Sequence, residues 1–139
     1  MTLIIDFNRT LYDPETDALM DGALALLTYA KNKSITMHLL SKREEGRERR
    51  IEGLGIAAFF TSIIVTNEKE PELRRLIEHA LDPVFVLGDH LHNEIRLGNR
   101  YGAKTLWLRR GKFKHLRRES PEDVPWQTIE TLEDAMKHL

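Results

Sequence analysis

The sequence contains no cysteine among its 139 residues, and no apolar run approaches the roughly 18 residues that a membrane-spanning helix needs. The first absence excludes disulfides, thiolate catalysis and thiolate metal sites, and the second predicts a protein without membrane spans. A net charge of −1 also argues against global attraction to nucleic acids or anionic membranes. No basic and apolar leader precedes the first apolar segment, so we expect a cytoplasmic protein.

What is present is an ordinary globular composition, 41% hydrophobic and 31% charged, over a length that suits one domain. We predict a single domain over residues 1–139. Short apolar segments alternate with segments of helical period, which predicts β-α-β units and a parallel sheet. The predicted strands cover residues 3–6, 35–40, 62–66, 83–87 and 104–108, with a short edge strand at 124–129. The predicted helices cover residues 21–31, 42–52, 70–80, 94–101 and 132–139, and residues 12–17 form a loop or short hairpin. We expect a Rossmann-like three-layer α/β/α sandwich with a central parallel sheet of about five strands.

Polar side chains follow three of the predicted strands. Asp6 ends the first strand, Ser41 the second and Asp89 the fourth, while Lys69 opens the helix before the fourth strand. In a parallel α/β sheet, ligands bind at the carboxyl ends of the strands. Two carboxylates, a hydroxyl and an ammonium at that edge provide a nucleophile, a cation site and phosphate-binding groups. Phosphoryl transfer needs positioning and charge neutralisation of this type.

The same residues resemble the four motifs of the haloacid dehalogenase (HAD) superfamily. The segment DFNRTL at residues 6–11 is similar to the first motif, DxDGTL, and Ser41 resembles the second, a Ser or Thr that ends a strand. Lys69 resembles the third motif, and GDHLHNE at residues 88–94 resembles the fourth, GDxxxxD. The motifs occur in order over essentially the whole chain, and the similarity continues through residues 98–111.

The resemblance implies a magnesium-dependent phosphohydrolase with a HAD-like fold. Asp6 would attack phosphorus and form an aspartyl-phosphate that water then hydrolyses. Asp6, the backbone carbonyl of Asn8 and Asp89 would hold Mg²⁺. Ser41 and Lys69 would bind the phosphoryl oxygens.

Three more residues have roles that the resemblance implies or leaves open. Thr10 of the first motif would support the nucleophile. Glu94, one methylene longer than the family's usual Asp, would help to hold Asp89 or a metal-bound water. Lys42, directly after Ser41, competes with Lys69 for the role of the third motif.

Two residues depart from the first motif of the family's phosphatases. Asn8 replaces an Asp that acts as general acid and base, and an amide cannot deliver a proton. Because general acid–base catalysis contributes about 10²- to 10⁴-fold, the loss predicts weakened or specialised activity that favours good leaving groups. Arg9 replaces the customary Gly and adds a cation beside the pocket. The alternative function is a catalytically inactive binding or scaffolding domain that retains the metal and phosphate pocket.

The spacing of the motifs leaves no room for a cap domain at either insertion point that this family uses. A capless member has an open site, which suits a large or macromolecular phosphorylated substrate, or a lid supplied by a second subunit of an oligomer. The segment 109–118 holds six basic residues of ten. It is either a solvated surface loop or a patch that recruits an anionic substrate, and we favour the loop over binding to nucleic acid.

Other polar residues have simpler interpretations. His90 and His92 more readily cap a helix or face solvent than bind zinc, and His38 fits a hydrogen-bonded position on a sheet face. Asp13 is a weak candidate for the missing acid. Trp107 is predicted to belong to the core.

Overall fold

The computed structural model describes residues 1–139, which form eight strands and five α-helices. The strands are β1 (Thr2–Asp6), β2 (Tyr12–Asp13), β3 (Ala18–Leu19), β4 (Thr36–Lys42), β5 (Ser62–Thr66), β6 (Val84–Gly88), β7 (Lys104–Leu108) and β8 (Gln127–Ile129). The helices are α1 (Ala23–Asn32), α2 (Arg47–Gly53), α3 (Lys69–His79), α4 (Arg96–Arg100) and α5 (Leu132–Ala135), with a π-helical turn at Leu91–Ile95. None of these helices combines the length and the apolar character that crossing a membrane requires.

Six of the strands form one parallel sheet in the order β5-β4-β1-β6-β7-β8, and β2 pairs with β3 in a separate hairpin. The predicted three-layer fold with a central parallel sheet is therefore confirmed, with six strands. The chain builds outward from β1 through β4 to β5, and then crosses to β6 on the other side of β1. This reversal opens a crevice at the carboxyl end of β1, where parallel sheets bind their ligands.

Both faces of the sheet are covered because β1 is apolar on both sides. Leu3 and Ile5 belong to a cluster of 21 buried residues on the face that α1 and α5 cover. Ile4, which points the other way, belongs to a second cluster with residues of α3 and α4. Burial of both faces explains why the central strands consist almost entirely of apolar residues.

Most predicted elements lie where expected, and the deviations are local. Of the two alternatives for residues 12–17, a loop or a short hairpin, the hairpin forms, and its second strand β3 lies just beyond the predicted range. The predicted helix over 42–52 is wrong at its start, because Lys42 ends β4 and the helix begins only after Gly46, which has φ 76°. The edge strand and the terminal helix are shorter than predicted, and a π-helical turn precedes α4.

Gly98 of α4 provides a test of the packing against the sheet. A Cβ there would lie 2.6 Å from Cγ2 of Thr105 and 3.2 Å from Cβ of Val86. We predict that Gly98→Ala lowers the free energy of unfolding by about 1–3 kcal/mol, because the helix must move away from β6 and β7. Urea denaturation measures the change. Gly53→Ala is the matched control, since a Cβ at Gly53 meets nothing within 4 Å. Equal effects of the two substitutions would contradict this prediction.

Candidate active site

A cavity of about 450 Å³ opens at the carboxyl edge of the sheet, and only one of the 14 residues that line it is hydrophobic. Its buried floor consists of the side chains of Asp6, Lys69, Asp89 and Glu94. Asp6 ends β1, Lys69 begins α3, and Asp89 directly follows β6. The parallel sheet thus brings together four of the residues that the sequence singled out.

The loop after Asp6 is held by hydrogen bonds to one carbonyl group. The backbone N–H groups of Thr10, Leu11 and Tyr12 all donate to the carbonyl oxygen of Phe7, at 3.2, 3.0 and 3.0 Å. Phe7 is fully buried, and its ring stacks on that of Tyr12 at 5.1 Å. The hydroxyl of buried Thr10 donates to Oδ2 of Asp6 at 3.0 Å and so holds one oxygen of that carboxyl group.

Lys69 joins the two sides of the floor. Its Nζ lies 2.5 Å from Oδ1 of Asp6 and 2.7 Å from Oε1 of Glu94, and the side chain is 8% exposed. Burial alone would lower the pKa of Lys69, but the two carboxylates outweigh it and raise this pKa above its usual value. Lys69 therefore remains an ammonium throughout the physiological range.

The carboxyl groups of the floor repel one another. Burial, reinforced by Glu94, raises the pKa of Asp6 to about 6, although Lys69 acts in the opposite direction. Burial and the charges of Asp6 and Glu94 raise the pKa of Asp89 to about 8. A single ammonium does not compensate three carboxylates in this space, so the floor attracts a further cation.

The donor set of the floor fits a hard divalent cation. Asp6, Asp89 and Glu94 each offer a carboxylate oxygen, and these atoms lie within 4.8 Å of one another. Oδ2 of Asp89 and Oε2 of Glu94 are buried without any hydrogen-bond partner, which is costly unless another group binds them. Carboxylate oxygens are the ligands that Mg²⁺ prefers.

Glu94 reaches the floor because Gly88 has no side chain. A Cβ at Gly88 would lie 2.9 Å from Cβ and 2.9 Å from Oε2 of Glu94. On the other side, the indole N–H of Trp107 donates to the backbone carbonyl of Asp89 at 2.9 Å. Trp107 belongs to the core as predicted, and this contact also holds the start of the Asp89 loop.

Some of the remaining predicted site residues line the cavity and others do not. Asn8 and Lys42 line the cavity. Ser41 is buried but does not line it, and its hydroxyl donates to the carbonyl oxygen of Lys42 at 3.2 Å. Asp13 accepts a hydrogen bond from the N–H of Glu15 and lines a neighbouring cavity, so it is not brought to Asp6.

The three histidines considered above have local partners. Nδ1 of His38 lies 2.6 Å from Oγ of Ser62 on the adjacent strand, as expected for a sheet-face residue. Nδ1 of His90 accepts from the N–H of His92 at 3.2 Å and caps the π-helical turn. His92 lies beside Glu119 and Asp123, but Arg96 already donates two hydrogen bonds to Asp123. The cluster of His92, Glu119 and Asp123 therefore already contains a positive charge, that of Arg96.

The sequence did not identify several residues that line the cavity. Arg47 is buried at 7% exposure, with its guanidinium 5.1 Å from the ring centroid of Phe7 and paired with Glu44. Phe113, from the basic segment, lies against His90 with 4.2 Å between ring centroids. Arg47 belongs to a segment that reads as a solvated helix, and no periodic pattern distinguishes it from the neighbouring arginines.

The coupled carboxyl groups predict an unusual dependence of stability on pH. Because the pKa of Asp89 is raised from 3.8 to about 8, the folded protein holds a proton that the unfolded chain has released. The free energy of unfolding of the metal-free protein should therefore fall as the pH rises from about 5 to about 8. Asp89→Asn should be more stable than wild type at about pH 8, by at least about 1 kcal/mol, and should show a flatter profile. Urea denaturation in EDTA measures both. The exposed substitution Glu45→Gln is the control, and identical profiles for Asp89→Asn and wild type would refute the coupling.

Parts of this chain resemble known protein sequences. Residues 68–135 match the family model described as HAD-hydrolase-like. A glyceraldehyde 3-phosphate phosphatase from Methanopyrus kandleri is 32% identical over 81 residues, which cover 52% of this chain. The match spans only 35% of that relative's length.

Two solved structures share the fold over nearly their whole lengths. An uncharacterized protein from Listeria monocytogenes serotype 4b superimposes with a TM-score of 0.78 at 20% identity, over 99% of this chain and 95% of that one. The D,D-heptose 1,7-bisphosphate phosphatase of B. bronchiseptica, complexed with magnesium and phosphate, gives a TM-score of 0.74 at 13% identity, over 99% and 96%. The family match covers residues 68–135 only, and at these identities the solved structures show a shared fold.

Proposed function

We propose that this protein is a magnesium-dependent phosphohydrolase that acts through an aspartyl-phosphate on Asp6. The observation that carries the proposal is the buried floor, where Asp6 meets Lys69, Asp89 and Glu94 at the carboxyl end of β1. A purely structural domain has no need to bury three carboxylates around one ammonium, since such groups are costly away from water. The similarity to a phosphatase from Methanopyrus kandleri points the same way.

The first step would be attack of an Asp6 oxygen on phosphorus. A bond forms between that oxygen and phosphorus, and the bond to the leaving-group oxygen breaks with its electron pair. Although burial raises the pKa of Asp6 to about 6, the carboxylate still predominates at neutral pH. The hydrogen bonds from Thr10 and Lys69 fix its two oxygens in one orientation.

Lys69 would stabilise the charge of the phosphoryl group. Its ammonium is buried and in place before the substrate arrives, so little reorganisation is needed as charge develops. When bound by Asp6, Asp89 and the carbonyl of Asn8, with Glu94 beside them, Mg²⁺ would supply electrostatic neutralisation of the phosphoryl oxygens. The oxygen of a water molecule would then form a bond to phosphorus while the bond between phosphorus and the Asp6 oxygen breaks. Both protons of the water leave with the inorganic phosphate, and the Asp6 carboxylate is regenerated.

Asn8 would set the substrate preference within this chemistry. Its amide lines the cavity but has no proton to give to a leaving oxygen. Acyl and aryl phosphates, whose leaving groups depart as anions, would therefore be hydrolysed faster than alkyl phosphates. A cytoplasmic location and a single capless domain are part of the proposal.

A binding domain without turnover is the second candidate, and two observations favour it. Asn8 stands where the family's phosphatases carry an acid, and the Ser41 hydroxyl is bonded to its own strand and not directed into the cavity. Such a domain would keep the cation and phosphate pocket as a recognition site.

Release of inorganic phosphate from an aryl, an acyl and an alkyl phosphate in the presence of Mg²⁺ tests the two candidates. We expect wild type to hydrolyse the first two and Asp6→Asn to be inactive, because the nucleophile is gone. Asn8→Asp should increase the rate with the alkyl phosphate by about 10²- to 10⁴-fold. A wild type that is inert while Asn8→Asp turns over would favour the binding domain. Folded but inert proteins in all three cases would refute the phosphohydrolase.

Thermal denaturation tests the cation site without any turnover. Mg²⁺ should raise the melting temperature, since a ligand present at about 100 times its Kd stabilises a protein by about 2.7 kcal/mol. Asp89→Asn should abolish the shift. Glu119→Gln is the matched control, because it alters the other carboxylate cluster, where Arg96 already supplies the positive charge. A shift that survives in Asp89→Asn would place the cation elsewhere.

A further inference from the structure

In the cavity that contains Asp6, the buried floor and the exposed rim carry opposite charges. The floor carries a formal charge of −2 when its three carboxyl groups are ionised, with Lys69 as the only cation. The partly or fully exposed rim has the opposite sign, with four cations and one carboxylate. The charged rim residues are Arg9, Lys42, Arg43, Glu44 and Lys112. A cation would neutralise the floor, but the positive rim would still attract an anion.

The rim carboxylate and one rim cation are already paired within the protein. Glu44 accepts a hydrogen bond from Arg47, and Arg43 donates to Glu48 and to the carbonyl oxygen of Val65. The side chains of the other three cations, Arg9, Lys42 and Lys112, donate no hydrogen bond to the protein.

Arg9 adopts a conformation that costs energy for its residue type. Its φ of 62° lies in the left-handed region, which is unfavourable for an L-residue with a side chain, and a glycine would avoid that strain. The backbone N–H of Arg9 donates to the carbonyl oxygen of Tyr12 at 2.8 Å, which holds the backbone of Arg9 in this conformation. Nη1 of its guanidinium lies 3.9 Å from Oε1 of Glu15, and this ion pair is weak because the Glu15 side chain is exposed. Strain retained at a rim cation with free donors indicates a role in binding.

Lys112 lines the same two cavities as Arg9. Both residues line the Asp6 cavity and also an adjoining cavity of about 220 Å³, so they mark the boundary between the two. Arg110 lines the adjoining cavity as well, and neither Lys112 nor Arg110 has a salt bridge. The next residue, Phe113, holds the loop against His90. The basic segment thus contributes one wall of the site.

We propose that Arg9 and Lys112 form a second anion-binding subsite, and that the substrate is a small phosphate compound with another anionic group, a phosphoryl or a carboxylate. The inference rests on the proposed function, because the phosphoryl group that reacts would bind at Asp6. The volume of the Asp6 cavity suits a small molecule, and its almost entirely polar lining does not suit an apolar one. A guanidinium binds either kind of anion through paired hydrogen bonds.

Three aryl phosphates of similar size test the subsite. The probes are 4-carbamoylphenyl phosphate, 4-carboxyphenyl phosphate and 1,4-phenylene bisphosphate, of which the first lacks a second charge. We expect kcat/KM with Mg²⁺ to be about 10- to 100-fold higher for at least one doubly anionic probe than for the carbamoyl compound. The carboxylate and bisphosphate results distinguish the two kinds of second anion.

Variants assign the preference to the two residues. Arg9→Gln and Lys112→Gln should each reduce the ratio of kcat/KM between the anionic and the carbamoyl probe by about 10-fold. Arg118→Gln removes one positive charge from the same segment, outside both cavities, and should leave the ratio unchanged. Arg9→Gly should also lose the preference while folding at least as stably as wild type, because glycine tolerates the left-handed conformation. A role of Arg9 in folding alone would not produce that combination.

Binding separates this inference from the proposed function. Calorimetric titration of the same probes into Asp6→Asn, with Mg²⁺, gives their Kd values without turnover. Tighter binding of an anionic probe would support the subsite even if wild type hydrolyses none of them. Equal kcat/KM and equal Kd for all three probes would overturn the subsite and leave the phosphohydrolase intact. Failure of every probe both to bind and to react would also overturn it.

Discussion

The ion pairs of Lys69 are the interaction on which the rest of the site depends. One buried ammonium contacts Asp6 of β1 and Glu94 of the π-helical turn, and so joins segments that are far apart in the chain. Without it, three carboxyl groups would share a space from which water is largely excluded, and such groups would take up protons instead of staying charged. Even with it, the pKa values of Asp6 and Asp89 are raised. The floor is thus short of positive charge, which is a physical reason for a metal ion there.

The separation of charge between floor and rim gives this cavity two different binding properties. Its floor favours a cation because buried carboxylate oxygens lack partners. Its rim favours anions because Arg9, Lys42 and Lys112 have donors that the protein does not use. A phosphate compound with a bound divalent cation satisfies the floor, and a second anionic group satisfies the rim. Substrate recognition would then come from the first-motif loop and from the segment after β7.

The four floor residues could be predicted from sequence, Asp6 and Asp89 from the ends of strands, and Lys69 and Glu94 from the order of the motifs. An apolar run that stops at a carboxylate places it at the edge of a parallel sheet, and the order of the motifs identified Asp6, Lys69, Asp89 and Glu94. Ser41 could not be placed in the same way. Asp6 pairs with Leu40, so Ser41 lies one residue beyond it, and successive side chains of a strand point to opposite faces. The Ser41 hydroxyl donates a hydrogen bond to the carbonyl oxygen of Lys42, and it is Lys42, not Ser41, that lines the cavity.

The sequence by itself determined the parallel sheet, the order of strands and helices, and the carboxylates at the strand ends, because each depends on local hydrophobic pattern and on the direction of the chain. Only the tertiary structure decided which surface residues surround those carboxylates. Arg47 and Phe113 come from segments whose sequences read as solvent-exposed, and packing against Phe7 and His90 brings them to the cavity. Such contacts join residues far apart in the chain, so no local pattern in the sequence encodes them.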